Sequence, residues 1–188
     1  MKHLTVKEKE GEVFEKTKSV FHYKNAMATP KMQKIVLNVG TGTAMKKDKN
    51  KNEAISLRLA KITGQKPSFR SAKQSIASFK TRQGDPIGVV VTLRGKRMYA
   101  FLEKLINIAL PRTKDFRGIT RNAVDNMGNL TIGIKEHTIF PETADEDIRD
   151  VFGISITLVS STKNKKEGMA FFEILGVPFK KEEEKKKK

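Results

Sequence analysis

Residues 66–118 read KPSFRSAKQSIASFKTRQGDPIGVVVTLRGKRMYAFLEKLINIALPRTKDFRG, and this stretch decides the fold. From Ile87 to Leu93 the pattern alternates as a strand does, with Val89, Val91 and Leu93 on one side and Val90, Thr92 and Arg94 on the other. The period changes after Gly95. Between Arg97 and Leu110, Phe101, Leu102, Leu105, Ile106 and Ala109 recur at helical spacing, so a strand feeds an amphipathic helix that ends before the basic turn Pro111–Gly118. Ahead of the strand the chain is cationic. The 31 residues from Ala54 to Gly84 hold Arg58, Lys61, Lys66, Arg70, Lys73, Lys80 and Arg82 and no Asp or Glu. Charge of one sign repels itself unless an anion lies against it, and a phosphate backbone is the natural candidate.

Outward toward the N-terminus, Ser68–Ala72 reads as a short strand. Ser71–Gly84 reads as an exposed loop or irregular hairpin whose only large apolar residues, Ile76 and Phe79, either pin its base or stack on a partner. Ile55, Leu59 and Ile62 stripe a helix that ends near Ile62, with Gly64 as its C-terminal cap. The lysine-rich link Lys46–Lys51 precedes it as a solvated charge run. Lys34–Val39 alternates as a strand, with Ile35, Leu37 and Val39 inward, and ends at the turn Gly40–Gly42. Residues 4–22 read as an opening helix striped by Val6, Val13, Phe14, Val20 and Phe21.

Outward toward the C-terminus, Leu130, Ile132 and Ile134 mark one strand, and Ile154, Ile156 and Leu158 mark another. Helix Lys165–Leu175 closes the fold, and residues 180–188 read as a disordered charged tail. Each strand has an aliphatic face, and the opposite face carries Asn38, Thr92, Arg94, Thr131, Ser155 or Thr157. The expected architecture is α+β: a largely antiparallel sheet with helices packed on the aliphatic face, leaving the other face polar and basic. Residues 1–179 are expected to form a single domain with a loop excursion at about 70–84.

Composition narrows the function. A net charge of +17 and a pI near 10.0 over 188 residues point to nucleic acid as partner. The absence of cysteine excludes disulfides, thiolate zinc sites and a cysteine nucleophile. No apolar run reaches the roughly 18 residues of a membrane span, and the first residues show no secretory signal. A cytoplasmic protein with no membrane partner is expected.

Catalytic patterns are missing. Gly40-Thr-Gly42 lacks the third glycine of a dinucleotide fingerprint, where Met45 stands, and the acid that should follow. No Walker-type GxxxxGK[ST] occurs. His3, His22 and His137 are scattered through segments that read as surface, without metal-ligand spacing. Neither metal nor cofactor is expected. Glu142, Asp145, Glu146, Asp147 and Asp150 read either as a helix start suited to its dipole or as a patch for a basic protein.

The 54–84 segment mixes its cations with Ser, Thr, Gln and Phe79, which can bond phosphate, ribose hydroxyls and base edges or stack on bases. RNA is favoured over DNA because no helix-turn-helix, zinc finger or basic zipper appears. An RNA-modifying or RNA-processing enzyme using the same face is the alternative, and it would need a nucleophile or base that this face lacks. A membrane-associated or protein-binding module would need cations along one side of an amphipathic helix, whereas here they concentrate in loops and strand ends.

KIVLNVGTG (34–42), ITGQKP (62–67), SIASFKTRQGDPIG (75–88), VTLRGKRMYAFLEKLINIALPRTKDFRG (91–118) and IFPE (139–142) resemble the bacterial large-subunit ribosomal protein five family, from about residue 4 to Phe179. The resemblance implies a structural, non-enzymatic protein of the cytoplasmic ribosome that attaches 5S rRNA to the central protuberance, beside 23S rRNA. It implies rRNA contacts at Asn38, Gln65, Lys66, Thr92 and Arg94. It further implies a loop reaching peptidyl-site tRNA through Arg70, Lys73, Gln74, Lys80 and Arg82, and a bridge to small-subunit ribosomal protein thirteen, whose basic character would give the 142–150 acids a use. Asp85 departs by placing an acid beside that loop, where it is expected to trim affinity.

Overall fold

A computed structural model describes residues 4–42, 51–114, 116–143 and 151–180. Five strands form one sheet in the order β2-β3-β1-β5-β4: β1 is Met32–Gly40, β2 Ser68–Ser71, β3 Pro86–Leu93, β4 Leu130–Ile134 and β5 Ile154–Ser160. β3 runs antiparallel to β1 on one side and β2 on the other. Among the described residues, five α-helices accompany the sheet: α1 Val6–Gly11, α2 Val13–Phe21, α3 Lys51–Thr63, α4 Gly95–Lys104 and α5 Lys165–Leu175. The fold is α+β, as the alternating patterns require.

The chain divides into two compact units, one comprising residues 34–98 and 133–157, the other residues 1–33, 99–132 and 158–188. In the first, α3 lies against β3. Ile55, Leu59 and Ile62 are buried, as are Val89, Val91 and Leu93 on β3 and Ile35, Leu37 and Val39 on β1. Each such side chain contributes about 1.5–3 kcal/mol of transfer free energy. Gly64 takes φ +66°, and its N–H bonds Ala60 O at 2.8 Å, which ends α3 where the sequence placed its cap.

His137 overturns an expectation. It is 0% exposed, its ring stacks on Phe152 at 4.1 Å and 8°, and its Nδ1 accepts the Phe152 N–H at 3.4 Å. A neighbouring aromatic covers the ring and a backbone donor meets its Nδ1 inside the core, which a lone His in a polar stretch does not announce. His3 lies outside the described residues, and His22 is exposed with a left-handed φ of 54°.

In the other unit, α1 and α2 pack against α5. Thr5 starts α1 with a capping box: its hydroxyl accepts the Glu8 N–H at 3.3 Å while Glu8 Oε2 accepts the Thr5 N–H at 2.7 Å. The expected opening helix is two helices, broken at Glu12, whose φ −80°, ψ −8° lie in the bridge region. The break resets the phase. Val6, Val13 and Thr17 are the buried line, the Thr17 hydroxyl donating to Val13 O at 2.6 Å, and Val20 turns out to solvent at 66% exposure.

Glu10 ties this unit together, accepting the Met32 N–H at 3.0 Å and the Tyr99 hydroxyl. Burial, then the hydrogen bond and charge of Glu10, push the Tyr99 phenol well above its ordinary range. The fourth helix does not stay α to its end. Leu105–Ala109 forms a π turn, closed by Leu110 N–H to Leu105 O at 2.9 Å, with Leu105, Ile106 and Ala109 buried.

At the far end, Gly176 (φ +93°) caps α5 in a Schellman pattern, with Val177 N–H bonding Phe172 O at 3.0 Å. The chain then pairs with Ile119: Ile119 N–H bonds Pro178 O, and Lys180 N–H bonds Ile119 O, both at 2.8 Å. The tail 181–188, the link residues 46–50 and the acids at 145–150 lie outside the described residues.

Candidate nucleic-acid interface

Antiparallel register fixes which side chains share the polar face. Asn38 stands opposite Val90 and Thr92 opposite Val36, while Ser68 faces Val90 and Arg70 faces Gly88. Paired residues project to the same side, so Asn38, Thr92, Ser68 and Arg70 lie on one surface of three adjacent strands. Gly88, itself buried, lies between two of them. A Cβ there would sit 3.3 Å from Val39 O, 3.8 Å from Arg70 Cβ and 3.9 Å from Asn38 Oδ1. Arg70 and Asn38 thus flank the buried Gly88 from the two neighbouring strands.

Gln65, at the end of the turn that follows α3, donates from Nε2 to Thr92 O at 3.2 Å. That bond fixes the turn to β3 and leaves Lys66 exposed beside the face. Arg94 projects from the end of β3 immediately before Gly95, which takes φ +59° to start α4. Asn38, Lys66 and Arg94 are exposed, and Gln65 and Thr92 are half-buried.

The expected loop is an ordered hairpin. Ala72 N–H bonds Asp85 O at 2.8 Å and Gly84 N–H bonds Ala72 O at 3.0 Å. Further out, Gln83 N–H bonds the Ser75 hydroxyl at 3.0 Å, and Ile76 and Thr81 exchange hydrogen bonds of 3.1 and 3.3 Å. The tip is a 3-10 turn, Ala77–Phe79, closed by Lys80 in a left-handed conformation, φ 49°. Lys73, Gln74, Lys80 and Arg82 are all exposed along this arm. Arg70, in contrast, belongs to β2 and stands on the sheet beside Asn38.

Asp85 has a local task. Its Oδ2 accepts the Arg82 N–H at 2.7 Å, and its own N–H bonds Arg82 O at 3.1 Å, so the carboxylate holds the turn through Gly84 (φ +93°). Among the described residues, Lys66, Arg70, Lys73, Lys80, Arg82 and Arg94 form no ion pair with a carboxylate. The surface therefore presents positive charge, hydrogen-bonding side chains and an exposed ring, Phe79. No cluster of His, Asp or Glu suited to a metal occurs among the described residues. The charge and donors of this face are complementary to a polyanion.

Sequence reasoning missed an apolar cleft beside the hairpin, because its walls, Ala72, Ile76, Phe79 and Ile87, are far apart in any periodic pattern.

Residues 25–82 match the family described as Ribosomal protein L5, and residues 86–179 match the C-terminus of the same ribosomal L5 family. The large ribosomal subunit protein uL5 of Trichlorobacter lovleyi is 48% identical over 170 residues, covering 90% of this chain and 94% of that protein. Its counterpart in Dictyoglomus thermophilum is 50% identical over 161 residues, covering 86% and 89%. The one in Mycoplasma mycoides is 50% identical over 160 residues, covering 85% and 88%. The chain belongs to the ribosomal protein L5 family. Membership makes it a structural, non-enzymatic constituent of the large subunit in the bacterial cytoplasmic ribosome, associated with rRNA. The family's two matched regions meet at residues 82–86, where the hairpin returns to β3.

Proposed function

We propose that this ribosomal protein holds 5S rRNA against its polar sheet face. Asn38 and Thr92 supply hydrogen bonds from neighbouring strands, Lys66 and Arg94 neutralise phosphates at the margins, and Gln65 keeps the Lys66 turn against β3. Arg70 extends the same face toward the hairpin. The arm bearing Lys73, Gln74, Lys80 and Arg82 reaches the peptidyl-site tRNA. Contacts to 23S rRNA seat the protein in the central protuberance, and a surface that includes the acids after Pro141 bridges to small-subunit ribosomal protein thirteen. The observation that carries this reading is the placement of Asn38, Ser68, Arg70 and Thr92 on one surface of three adjacent strands, on a face whose cations form no ion pairs among the described residues. Amide, hydroxyl and guanidinium groups exposed together suit hydrogen bonding to, and charge neutralisation of, a folded RNA.

The test is a gel-shift comparison of 5S rRNA with an unrelated RNA of equal length. The 5S rRNA is expected to bind more tightly, and Asn38→Ala or Thr92→Ala to weaken it by about 1–2 kcal/mol each. Changing Lys73 and Lys80 together is expected to spare 5S binding while weakening tRNA contact on ribosomes. Equal affinity for both RNAs, unaffected by Asn38→Ala, would sink the assignment of the face.

A further inference from the structure

The hairpin carries a feature that charge neutralisation does not use. A cleft of about 800 Å³ opens at its side, lined among the described residues by Phe79, Ile76, Ala72, Ile87 and Gly42, with Lys73 at its rim. The volume is that of a small-molecule site. Phe79 is 62% and Ile76 43% exposed. Such exposure is costly on a hairpin tip, and burial of Phe79 against the arm would have been the cheaper arrangement. The tip is instead held as it is. The reciprocal Ile76–Thr81 hydrogen bonds clamp the stem, and Lys80, a non-glycine residue, takes the left-handed conformation that closes the 3-10 turn carrying the ring. A non-glycine residue in that region costs on the order of 1 kcal/mol and persists where the surroundings demand it.

The occupant must combine an apolar, flat group with negative charge. The cleft is lined mainly by apolar side chains, with Lys73 among them; Lys80 and Arg82 follow Phe79 and Thr81 along the arm, and the Asp85 carboxylate is engaged by the Arg82 N–H. An apolar protein knob satisfies the wall but not the charge, and a phosphate alone satisfies the charge but not the wall. A nucleotide with its base unstacked satisfies both. We propose that the cleft takes an unpaired nucleobase of the RNA that the hairpin grips, stacked on Phe79, with the adjoining phosphates held by Lys73 and Lys80. This rests on the reading of the hairpin as an RNA contact.

The chain has no tryptophan, so full-length Phe79→Trp carries a single reporter at the site. It would be titrated separately with 5S rRNA, with tRNA and with inorganic polyphosphate of matched charge. Quenching by one of the RNAs and none by polyphosphate is expected, and the quenching RNA names the source of the base. In parallel, Phe79→Ala should lose roughly 5- to 100-fold in affinity for that RNA, while Phe79→Tyr, which keeps the ring, holds near the parent value. Because Phe79 is exposed, neither change threatens folding. RNA binding without quenching, together with parental affinity in Phe79→Ala, overturns the proposal. Quenching that rises with protein concentration in the absence of RNA also overturns it, assigning the cleft to a second copy. The hairpin reading fails separately. If Lys73→Ala with Lys80→Ala leaves affinity for every RNA unchanged, the arm is no RNA contact and the base site falls with it. If that pair weakens binding and Phe79→Ala does not, only the base site is lost.

Discussion

At the residue scale, a few side chains act through positions that their neighbours in sequence conceal. Tyr99 follows a buried Met98 at the start of α4, yet its hydroxyl reaches Glu10, whose carboxylate also accepts the Met32 N–H. Tyr99→Phe is expected to cost roughly 1 kcal/mol, read as a lower midpoint in urea. The same substitution should change the alkaline response. Burial and Glu10 raise the folded-state pKa of Tyr99 above its unfolded value, so its contribution is fully present below about pH 10 and is lost as pH rises through the folded value. The parent protein should therefore lose stability on the alkaline side more steeply than Tyr99→Phe. Identical alkaline melting curves would remove Tyr99 from this role. Asp125 works at the other end of the scale. Burial raises its pKa, but hydrogen bonds from the Asn129 side chain and from the backbone N–H groups of Asn129, Met127 and Gly128 outweigh burial, and the net shift is downward.

At the element scale, the packing of α5 depends on two glycines that touch. A Cβ on Gly168 would meet the Gly128 Cα at 2.6 Å, its O at 2.8 Å and its C at 3.0 Å, all backbone atoms. A flexible side chain could move aside, but this backbone cannot, because Gly128 O accepts the Ser160 hydroxyl at 2.7 Å and its N–H bonds Asp125 O at 3.1 Å. Gly168→Ala should therefore destabilise the protein by roughly 1–3 kcal/mol despite the better helix propensity of alanine. Gly133→Ala, in β4 with nothing within 4 Å of its Cβ, should be close to neutral. Equal midpoints for the two variants in thermal or urea unfolding would contradict the packing account. The hairpin shows the same logic in a polar setting, where Asp85 and Ser75 hold the arm through backbone N–H groups and leave its cations outward.

At the scale of the whole molecule, a charge of +17 makes association with RNA strongly dependent on salt. Each phosphate neutralised should contribute about −0.7 to −0.9 to the slope of log K against log salt. Replacing Lys66 by alanine should reduce the magnitude of the slope for 5S rRNA by about one such increment. Asn38→Ala should lower affinity at every salt concentration with little change in slope, because an amide neutralises nothing. Filter binding across several salt concentrations separates the two, and parallel lines for all variants would mean that Lys66 touches no phosphate.

Much of this was legible in the chain itself. Alternation at 35–39, 87–93, 130–134 and 154–158 determined the strands and their buried faces, since a two-residue period admits only one inward set. The acid-free run at 54–84 determined that a polyanion is the partner, because charge is additive and needs no coordinates. Local chemistry also gave the Gly64 cap and the last helix, Lys165–Leu175. What only the tertiary structure decided depends on contacts between residues remote in sequence. The broken phase at Glu12 exposes Val20, and Phe152 buries His137. The β2–β3 register moves Arg70 from the arm to the sheet beside Asn38. The cleft at Phe79 exists because Ala72, Ile76 and Ile87 come from both sides of a hairpin. A periodic pattern records which way a side chain points along its own element, and it carries no record of what another element places opposite.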